Sequence, residues 1–423
     1  MKNLLILFIS LFLISCSNSS EEEMESNIIE ITDVSKTKVR IGDTLIIKGK
    51  NLDLITNFKF TYPNIGNDDI ITVEPLEKKI DLIKVIIPIL NYEKITLAAF
   101  ENDKFIISTP LNLFGTFPLI VKSSTDDLQH YDIQNIKMVN EKTAFLAAHR
   151  RLYKTTDGGY NWQIVKDFGF YIKPMYFIDE NKGWVGTQTD SHFILYYTDD
   201  GGRTFNEILK EGSSYNIIDM EFSTPTNGYL LGVEGKIYHT NDNSSFNLIY
   251  NSSTSTAGAY FDFHKLSVVN NSLISLGENV SNGKSIIIEG INNTFSYSVF
   301  DTWIWDVQQL NENNAFISKN INMNNGLEEN LFFKSSPTAA WKKTSDKWIK
   351  YFHFTDNNKG IGINYANKGS LDYSVVYETY DGGENWIYKF NFKDFEYRLD
   401  EDFYKNYGII TGFRGKIWKH IFE

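Results

Sequence analysis

A turn pattern of the form Ser/Thr-x-Asp-x-Gly-x-x-Trp/Phe occurs three times in this sequence of 423 residues. The copies read YKTTDGGYNW at 153–162, YYTDDGGRTF at 196–205 and YETYDGGENW at 377–386. Asp and Thr side chains accept backbone N–H groups in tight turns, and Gly adopts positive φ without steric cost. The aromatic residue that follows can bury a large area. Three copies of such a strict pattern indicate a repeated fold.

These three turns are better explained as structural elements than as catalytic centres. Each turn offers one carboxylate and one hydroxyl, which is fewer oxygen ligands than calcium takes in proteins. Paired acid–base chemistry needs two carboxylates within reach of one bond, whereas the copies belong to different repeats and must lie far apart. The expected turn residues are Thr155, Asp157, Gly159 and Trp162, then Thr198, Asp200, Gly202 and Phe205, and finally Thr379, Asp381, Gly383 and Trp386.

Longer repeats of about forty to fifty residues surround the turns, a period typical of propellers and arrays. Clear copies of the first half of the unit are YFIDENKGWVGT (176–187), EFSTPTNGYLLGVEGKIYHTND (221–242) and HFTDNNKGIGINY (353–365). Another unit runs from Asp132, and weaker units begin near Phe263, Asp306 and Asp402. Degraded turns occupy equivalent places in HTNDNSSFN (239–247) and SSPTAAW (335–341). Seven units of four short strands predict a seven-bladed β-propeller over 117–423.

The last unit ends at its third strand, GKIWKHIF, so its fourth strand must come from elsewhere in the chain. The segment FPLIVKS (117–123) precedes the first unit and is similar to the fourth strands WQIVKD (162–167) and FNEILK (205–210). We expect the first and last segments to share one blade and to close the ring. This expectation places a domain boundary near Thr116.

Residues 28–116 form a separate unit of short strands with turn residues between them, for example DDIITVEPL, LIKVIIPI and KITLAAF. Seven or so strands in roughly ninety residues favour an immunoglobulin-like sandwich. The fold class is therefore all-β: an immunoglobulin-like sandwich followed by a seven-bladed β-propeller. The stretch GDTLIIKGKNL (42–52) resembles the start of IPT/TIG domains, although the proline usual upstream is missing.

The N-terminus is typical of an exported protein. MKNLLILFISLFLISC has one lysine and an apolar run too short to span a membrane, so residues 1–15 are predicted to be a signal peptide. Leu13 to Cys16 resembles a bacterial lipobox, which implies that Cys16 is lipidated. Cys16 is the single cysteine, so no disulfide framework exists. The alternative is a plain signal peptide with an incidental cysteine.

The segment 16–27 is polar and acidic, and we expect it to be a disordered tether. Its serine-then-acid run resembles the surface-export signal of Bacteroidota lipoproteins, and the alternative is a simple spacer. Together these features predict a lipoprotein of the bacterial outer membrane, exposed at the cell surface if the export signal operates.

Composition and motifs exclude several function classes. A net charge of −12 opposes nucleic-acid binding, which requires basic patches. The sequence has no G-x-G-x-x-G after a strand, no P-loop, no G-x-S-x-G elbow and no paired histidines for a metal. We therefore expect no cofactor and no metal, and a monomer.

An aromatic residue stands at or just before the start of each predicted inner strand. Such rings could stack on sugar faces or grip a peptide at the channel mouth, or they could pack between blades as ordinary core. The candidate ligand-face residues are Tyr131, Tyr171, Tyr215, Tyr260, Trp303, Trp305, Trp348 and Tyr397. Nearby polar side chains are Asp132, Lys173, Asp219, Asp262, Asp306 and Arg398.

The turn pattern resembles the Asp-box, or BNR, repeat. YFIDENKGWVGT followed by YYTDDGGRTF is similar to the repeat of the photosystem II stability/assembly-factor-like propellers, and the resemblance covers about 117–423. It implies a seven-bladed, non-enzymatic propeller that binds partner proteins. The photosynthetic members use an arginine patch, which this arginine-poor chain does not match, so that particular partner is not carried over.

We predict a lipid-anchored envelope protein that binds a protein or glycan through the face where the chain enters the inner strands. The alternative is a secreted glycan-active hydrolase, because Asp-box propellers include sialidases. The sialidase pattern needs three arginines on the substrate carboxylate and an arginine-then-proline motif at the start, and this sequence lacks that motif. A hydrolase would also need two carboxylates about 5–10 Å apart in the central cleft.

Overall fold

A computed structural model describes residues 28–61, 70–90, 94–119, 122–123, 128, 131–189, 191–212, 216–255, 261–320, 329–368, 371–393, 400–412 and 415–422. The fold is all-β, with an immunoglobulin-like sandwich followed by a seven-bladed β-propeller. Among the candidates named above, Cys16, Tyr215, Tyr260, Tyr397 and Arg398 lie outside the described residues. Within the part of the chain that is described, no helix has the length and hydropathy needed to cross a membrane.

The sandwich consists of two sheets that enclose an apolar core. The first sheet has the order β1 (Glu30–Val34), β3 (Thr44–Lys50), β7 (Leu82–Ile86) and β6 (Glu77–Lys78). The second has the order β2 (Lys38–Val39), β9 (Lys104–Leu113), β8 (Lys94–Glu101), β4 (Asn57–Thr61) and β5 (Ile71–Val73). Burial alternates along β3 and β7, so each strand turns one side to the core and one side outward.

Each of the first six blades has four antiparallel strands that follow one another outward in chain order from the central channel. Blade one comprises β12 (Ile133–Met138), β13 (Ala144–Ala148), β14 (Arg151–Thr155) and β15 (Asn161–Asp167). Blade two comprises β16 (Tyr171–Phe177), β17 (Gly183–Gln188), β18 (His192–Thr198) and β19 (Asn206–Gly212). Blade three comprises β20 (Ile217–Phe222), β21 (Gly228–Gly232), β22 (Lys236–Thr240) and β23 (Asn247–Asn251). A two-residue strand, β11 (Lys122–Ser123), adds to the outer edge of blade one. A short helix, α1 (Ser252–Ser255), follows β23.

Blades four to six repeat this arrangement. Blade four comprises β24 (Phe261–Val269), β25 (Ser272–Asn279), β26 (Lys284–Ile291) and β27 (Thr294–Phe300). Blade five comprises β28 (Ile304–Gln309), β29 (Ala315–Asn320), β30 (Glu329–Lys334) and β31 (Lys342–Trp348). Blade six comprises β32 (Tyr351–Phe354), β33 (Gly360–Lys368), β34 (Leu371–Thr379) and β35 (Ile387–Lys393). The seven units inferred from the sequence correspond to the seven blades.

Blade seven is assembled from both ends of the propeller. Its inner strands are β36 (Asp400–Tyr404), β37 (Tyr407–Thr411) and β38 (Ile417–Ile421), and its outer strand is β10 (Gly115–Pro118). Gly115 pairs with Ile421, and Pro118 pairs with Trp418. The closing strand therefore starts slightly earlier in the chain than the 117–123 segment expected from the sequence.

A buried ionic contact also joins the sandwich to the propeller. Arg40 lies 3.5 Å from the carboxylate of Glu378, which is fully buried in blade six. Lys389 approaches the same carboxylate to 3.2 Å, and Tyr380 donates its hydroxyl proton to it at 2.5 Å. The two domains are thus connected by the chain that leads from β9 into β10 and by this cluster of charges.

The Asp-box turns join the third and fourth strands of blades one, two and six, and their hydrogen bonds repeat. In each, the Thr hydroxyl donates to the Asp carboxylate at 2.8–2.9 Å and accepts the N–H of the second Gly at 2.9–3.0 Å. The N–H of the first Gly donates to a carbonyl in the loop between the first two strands of the same blade. Blade three has a fourth turn of this type, in which Thr240 donates to Asp242 at 3.2 Å.

The second glycine of each turn lies against the preceding blade. A Cβ on Gly202 would lie 2.4 Å from Cγ1 of Val165 in blade one, and its φ is +89°. A Cβ on Gly383 would lie 2.6 Å from Leu331 in blade five. Glycine is therefore required here both for positive φ and for close packing between blades.

Aromatic pairs make further contacts between blades. The last residue of an inner strand stacks on an aromatic of the second strand in the preceding blade, with ring centroids 3.5–4.0 Å apart. The pairs are Phe145 with Phe177, Trp184 with Phe222, and Phe316 with Phe354. These large buried rings account for much of the apolar contact between blades.

Candidate functional site

The seven inner strands surround a central channel. Neighbouring inner strands contact one another in chain order, and β36 contacts β12, which closes the ring. Strand direction alternates within each blade, so all inner strands begin at one end of the propeller and the Asp-box turns lie at the other. We call the end where the inner strands begin the upper face.

Ionisable side chains converge on the channel from several blades. The carboxylates belong to Asp219 and Glu221 of blade three, Asp306 of blade five, and Asp400, Glu401 and Asp402 of blade seven. The ammonium groups belong to Lys137 of blade one and Lys265 of blade four. The pKa of Asp400 responds to Lys265 and Asp219, which belong to blades on other sides of the ring. These side chains therefore lie close enough for their charges to interact across the ring.

Most of these carboxylates hold adjacent blades together. The free edge of an inner strand has backbone N–H groups without a partner in its own sheet. Side-chain oxygens of one blade accept these N–H groups from the next blade, at the junctions of blades three and four, five and six, and seven and one. The pairs are Asp219 with Leu266 (2.8 Å), Glu221 with Val268, Asp306 with Phe352 (3.1 Å), Gln308 with Phe354 (2.7 Å), Asp400 with Ile136 (2.7 Å) and Asp402 with Met138 (2.6 Å).

Burial changes the protonation of the channel. Removal from water raises the pKa of Asp219 to about 6, of Asp400 to about 7 and of Glu221 to about 8. Burial also raises the pKa of the Glu401 carboxyl well above its ordinary value. Several carboxyl groups of the channel therefore retain protons near neutral pH.

The two lysines of the channel stay charged. Burial alone would lower the pKa of each ammonium, but nearby carboxylates raise it above its ordinary value. Lys137 lies 3.2 Å from Asp402, and Lys265 lies 2.5 Å from Asp306. His353 is neutral at physiological pH, because burial lowers its pKa to about 3.

The upper face carries exposed aromatic rings: Tyr171 and Trp303 at the start of inner strands, and Trp348 at the end of the outer strand of blade five. Tyr171 is 55% exposed, Trp303 is 41% exposed and Trp348 is 45% exposed. Large exposed rings of this kind are available to a ligand. These three side chains are therefore not buried core residues, and their contact with a ligand stays a prediction.

The aromatics of the upper face form two groups among the described residues. In the first, His149 stacks on Tyr131 with ring centroids 4.8 Å apart and meets the edge of Tyr171 at 4.4 Å. In the second, Trp303 and Trp305 stack at 6.4 Å, and the Lys350 ammonium lies 3.7 Å from the centre of the Trp305 ring. Tyr131 and Trp305 are half-buried, so Tyr171 and Trp303 are the more accessible members.

The polar residues suggested by the sequence fall in different places. Asp219 and Asp306 lie in the channel and bind backbone N–H groups, as described above. Lys173 donates to Asn216 at 2.9 Å near the surface. Asp132 is exposed, and Asp262 is partly buried.

Sequence reasoning missed most of the channel charges. Lys137, Glu221, Lys265, Asp400, Glu401 and Asp402 were not among the candidates. The signal that could have found them is alternation within an inner strand, as in IIDMEF (217–222), where polar residues at every second position interrupt an apolar core strand. Among the described residues, no group of three or more His, Cys, Asp or Glu side chains could hold a metal ion.

One cavity lined by described residues lies away from the upper face. It is a groove of about 650 Å³ between blades one and two, on the side of the Asp-box turns, and Asp157 and Asp200 help to line it. Both carboxylates are engaged by backbone and side-chain groups of their own turns. The groove therefore follows from the packing of adjacent turns, and we assign the candidate site to the upper face.

Comparison with known proteins supports the fold. No protein-family model matches the sequence, and no curated protein matches it. A structure of YCF48 bound to a D1 peptide matches with a TM-score of 0.53 at 14% identity, over 73% of this chain and 97% of that chain. YCF48 from Cyanidioschyzon merolae gives 0.54 at 14% identity, over 73% and 99%.

YCF48 is a photosystem II assembly factor with a β-propeller fold, so these two matches show that the chain shares that fold. A GH74 enzyme from Niastella koreensis also matches, with a TM-score of 0.41 at 15% identity over 76% of this chain and 61% of that chain. A likeness at that TM-score carries no argument about activity.

Proposed function

We propose that this chain is a lipid-anchored envelope protein that binds a protein or glycan ligand through the upper face of its propeller. The observation that carries the proposal is the exposure of Tyr171, Trp303 and Trp348 on that face. Aromatic rings offer a large rigid contact area, and they bind both peptide side chains and the apolar faces of sugars. The peptide-bound YCF48 structure supports a binding role for a propeller of this fold.

The anchor and the envelope location rest on the lipobox-like segment that ends at Cys16 and on the acidic residues that follow it. We assign the sandwich to the IPT/TIG-like class on the stretch 42–52, and we expect a monomer with no nucleic-acid partner. In this arrangement the tether and the sandwich hold the propeller at the cell envelope, and the upper face meets the ligand.

The hydrolase alternative is weakened by the roles of the channel acids. Asp219 and Asp306, which the sequence placed near the ligand-face aromatics, each accept a backbone N–H from the neighbouring blade, and Asp306 also pairs with Lys265. A carboxylate committed to such bonds is poorly placed to transfer a proton to a glycosidic bond.

The test is ligand capture by the whole mature protein, with a glycan array and a pull-down from envelope extracts as the two arms. We expect Tyr171→Ala with Trp303→Ala to weaken capture at least tenfold, since aromatic anchors dominate binding energy. Tyr297→Ala is the matched control, because Tyr297 is an exposed aromatic on the outer strand of blade four. Equal capture by the double variant and the control would overturn the proposal. Glycan turnover that stops on Asp219→Asn would favour the hydrolase instead.

A further inference from the structure

One end of the sandwich lies far from the propeller. Arg40 and the end of β9 at Leu113 face the propeller, because Arg40 contacts Glu378 and β9 leads into β10. Strands β3 and β9 run the length of the sandwich, so Lys50 and Lys104 mark the opposite end. We call this end the distal tip and define it by residues 28, 51–56, 79–81 and 102–105.

Three separate segments of the distal tip each expose one large apolar side chain. Ile28 is 69% exposed, Ile80 is 61% exposed and Phe105 is 56% exposed. Single exposed apolar residues are common on protein surfaces, but a group of them at one place indicates an interaction site.

The segment 51–56 brings these three together. Asn51 donates its side-chain N–H to the carbonyl of Ile28 at 3.0 Å, and the N–H of Leu52 donates to the carbonyl of Ile80 at 2.9 Å. The N–H of Asn102, in the turn before Phe105, donates to the hydroxyl of Thr56 at 3.0 Å. Ile28 and Ile80 thus lie on loops bonded to the segment 51–56, and Phe105 lies in β9 just after a turn bonded to the same segment.

The short link between Cys16 and the distal tip indicates that a lipid surface is the partner of the tip. Ile28 follows Cys16 by twelve residues, a length that spans at most about 40 Å when fully extended. If Cys16 carries a lipid, the distal tip is the part of the described protein closest in the chain to the membrane. A short connection of this kind raises the local concentration of the tip at the lipid surface.

The chemistry of the tip also suits a lipid interface. The exposed lysines Lys50, Lys79 and Lys104 lie beside the apolar residues, where Lys50 pairs with Glu30 at 3.1 Å and Lys79 with Glu77 at 2.7 Å. The tip also exposes Asp53, Asp81 and Asp103. Lysines at an interface can place their stems along apolar surface and their ammonium groups among lipid headgroups. Bulky apolar residues flanked by lysines are characteristic of segments that lie at the membrane boundary.

We propose that the distal tip inserts Ile28, Ile80 and Phe105 into the headgroup region of the lipid surface that carries the anchor. This inference rests on the lipid anchor of the proposed function. Under this proposal the sandwich binds the membrane surface directly and is not only a spacer between the anchor and the propeller. The chain from β9 into β10 and the Arg40–Glu378 contact join the sandwich to the propeller. Docking of the tip would therefore also limit how far the upper face can move relative to the membrane.

The experiment uses the fact that Cys16 is the single cysteine and that lipidation consumes its thiol. Ile80→Cys in the lipidated chain then introduces one reactive thiol, to which an environment-sensitive fluorophore is attached after reconstitution into phosphatidylethanolamine–phosphatidylglycerol vesicles. The matched control is Ile89→Cys, because Ile89 is similarly exposed, at 59%, but lies at the propeller end of the sandwich. Its neighbour Ile87 is hydrogen-bonded to the turn at Gly42 and Asp43 at that end.

We expect quenching by lipids brominated in their acyl chains at position 80 and none at position 89. Equal quenching at both positions, or none at position 80, would overturn the inference. The anchor is tested separately with Cys16→Ser, which should release the protein from the membrane fraction. Release of Cys16→Ser together with no quenching at position 80 of the lipidated chain refutes the docked tip alone, whereas retention of Cys16→Ser refutes the anchor.

Discussion

Replacement of Gly202 by alanine should destabilise the propeller through two separable effects. Gly202 has a φ of +89°, a backbone conformation in which an L-residue costs about 1–2 kcal/mol. The added Cβ would also lie 2.4 Å from Cγ1 of Val165, and relief of such a contact inside packed structure costs about 1–3 kcal/mol. Val165 is β-branched and stiff, so the neighbouring blade has to shift. The sum is a loss of about 2–5 kcal/mol in the free energy of unfolding.

Two further variants separate the conformational cost from the packing cost. Gly169 has a similar φ of +77°, but nothing lies within 4 Å of a Cβ at that position. Gly169→Ala should therefore cost only the conformational part, about 1–2 kcal/mol. In a Val165→Ala background, Gly202→Ala should also fall to about that value, because the clash is gone.

The assay is urea unfolding of each variant, followed by tryptophan fluorescence, with the free energy of unfolding taken from the midpoint and slope. Equal losses for Gly202→Ala and Gly169→Ala would refute the packing argument. An unchanged cost of Gly202→Ala in the Val165→Ala background would refute the assignment of the clash to that residue.

Two predictions concern the channel. In the wild type, the free energy of unfolding should fall between pH about 4.5 and about 8, because folded Glu221 keeps a proton that the unfolded chain releases at lower pH. Glu221→Gln removes this titration, so its free energy of unfolding should fall less over the same pH range. Urea midpoints against pH measure both proteins, and parallel curves would contradict the prediction. Asp402→Ala should lower the free energy of unfolding by about 3 kcal/mol or more, since it leaves the Met138 N–H and the Lys137 ammonium without their acceptor. Asp402→Asn keeps an oxygen for the Met138 N–H and should lower it less. Equal urea midpoints for the two variants would refute this role of Asp402 at the closing junction.

The sequence predicted those parts of the fold that depend on local chemistry. Thr155, Asp157 and Gly159 lie within five residues of one another, so their turn could be inferred from side-chain and backbone preferences alone. The longer repeats of about forty to fifty residues around these turns then gave the number of blades. The strand that closes the ring was inferred because one blade lacked a strand. The structure places this strand at Gly115–Pro118, and Lys122–Ser123 of the expected segment pair with blade one instead.

The channel could not be read from the sequence in the same way. Asp400 and Ile136 are bonded to each other although they are far apart in the chain, and only closure of the ring brings them together. A charged residue in an inner strand gives no local sign of whether it binds a ligand or a neighbouring blade. The upper face was partly predictable, because Tyr171 and Trp303 are exposed at the expected place, whereas half-burial of Tyr131 depends on its packing against His149.

The pairing of β10 with β38 determines when the propeller can be completed during synthesis. β10 emerges before any blade, and its partner ends about three hundred residues later. Contacts between such distant segments carry a large loop-closure entropy and slow folding. A nascent chain that has not yet reached β38 leaves β10 as an open edge, and open edges pair readily with other chains. Export before folding, or a chaperone that covers β10, would protect the chain during this interval.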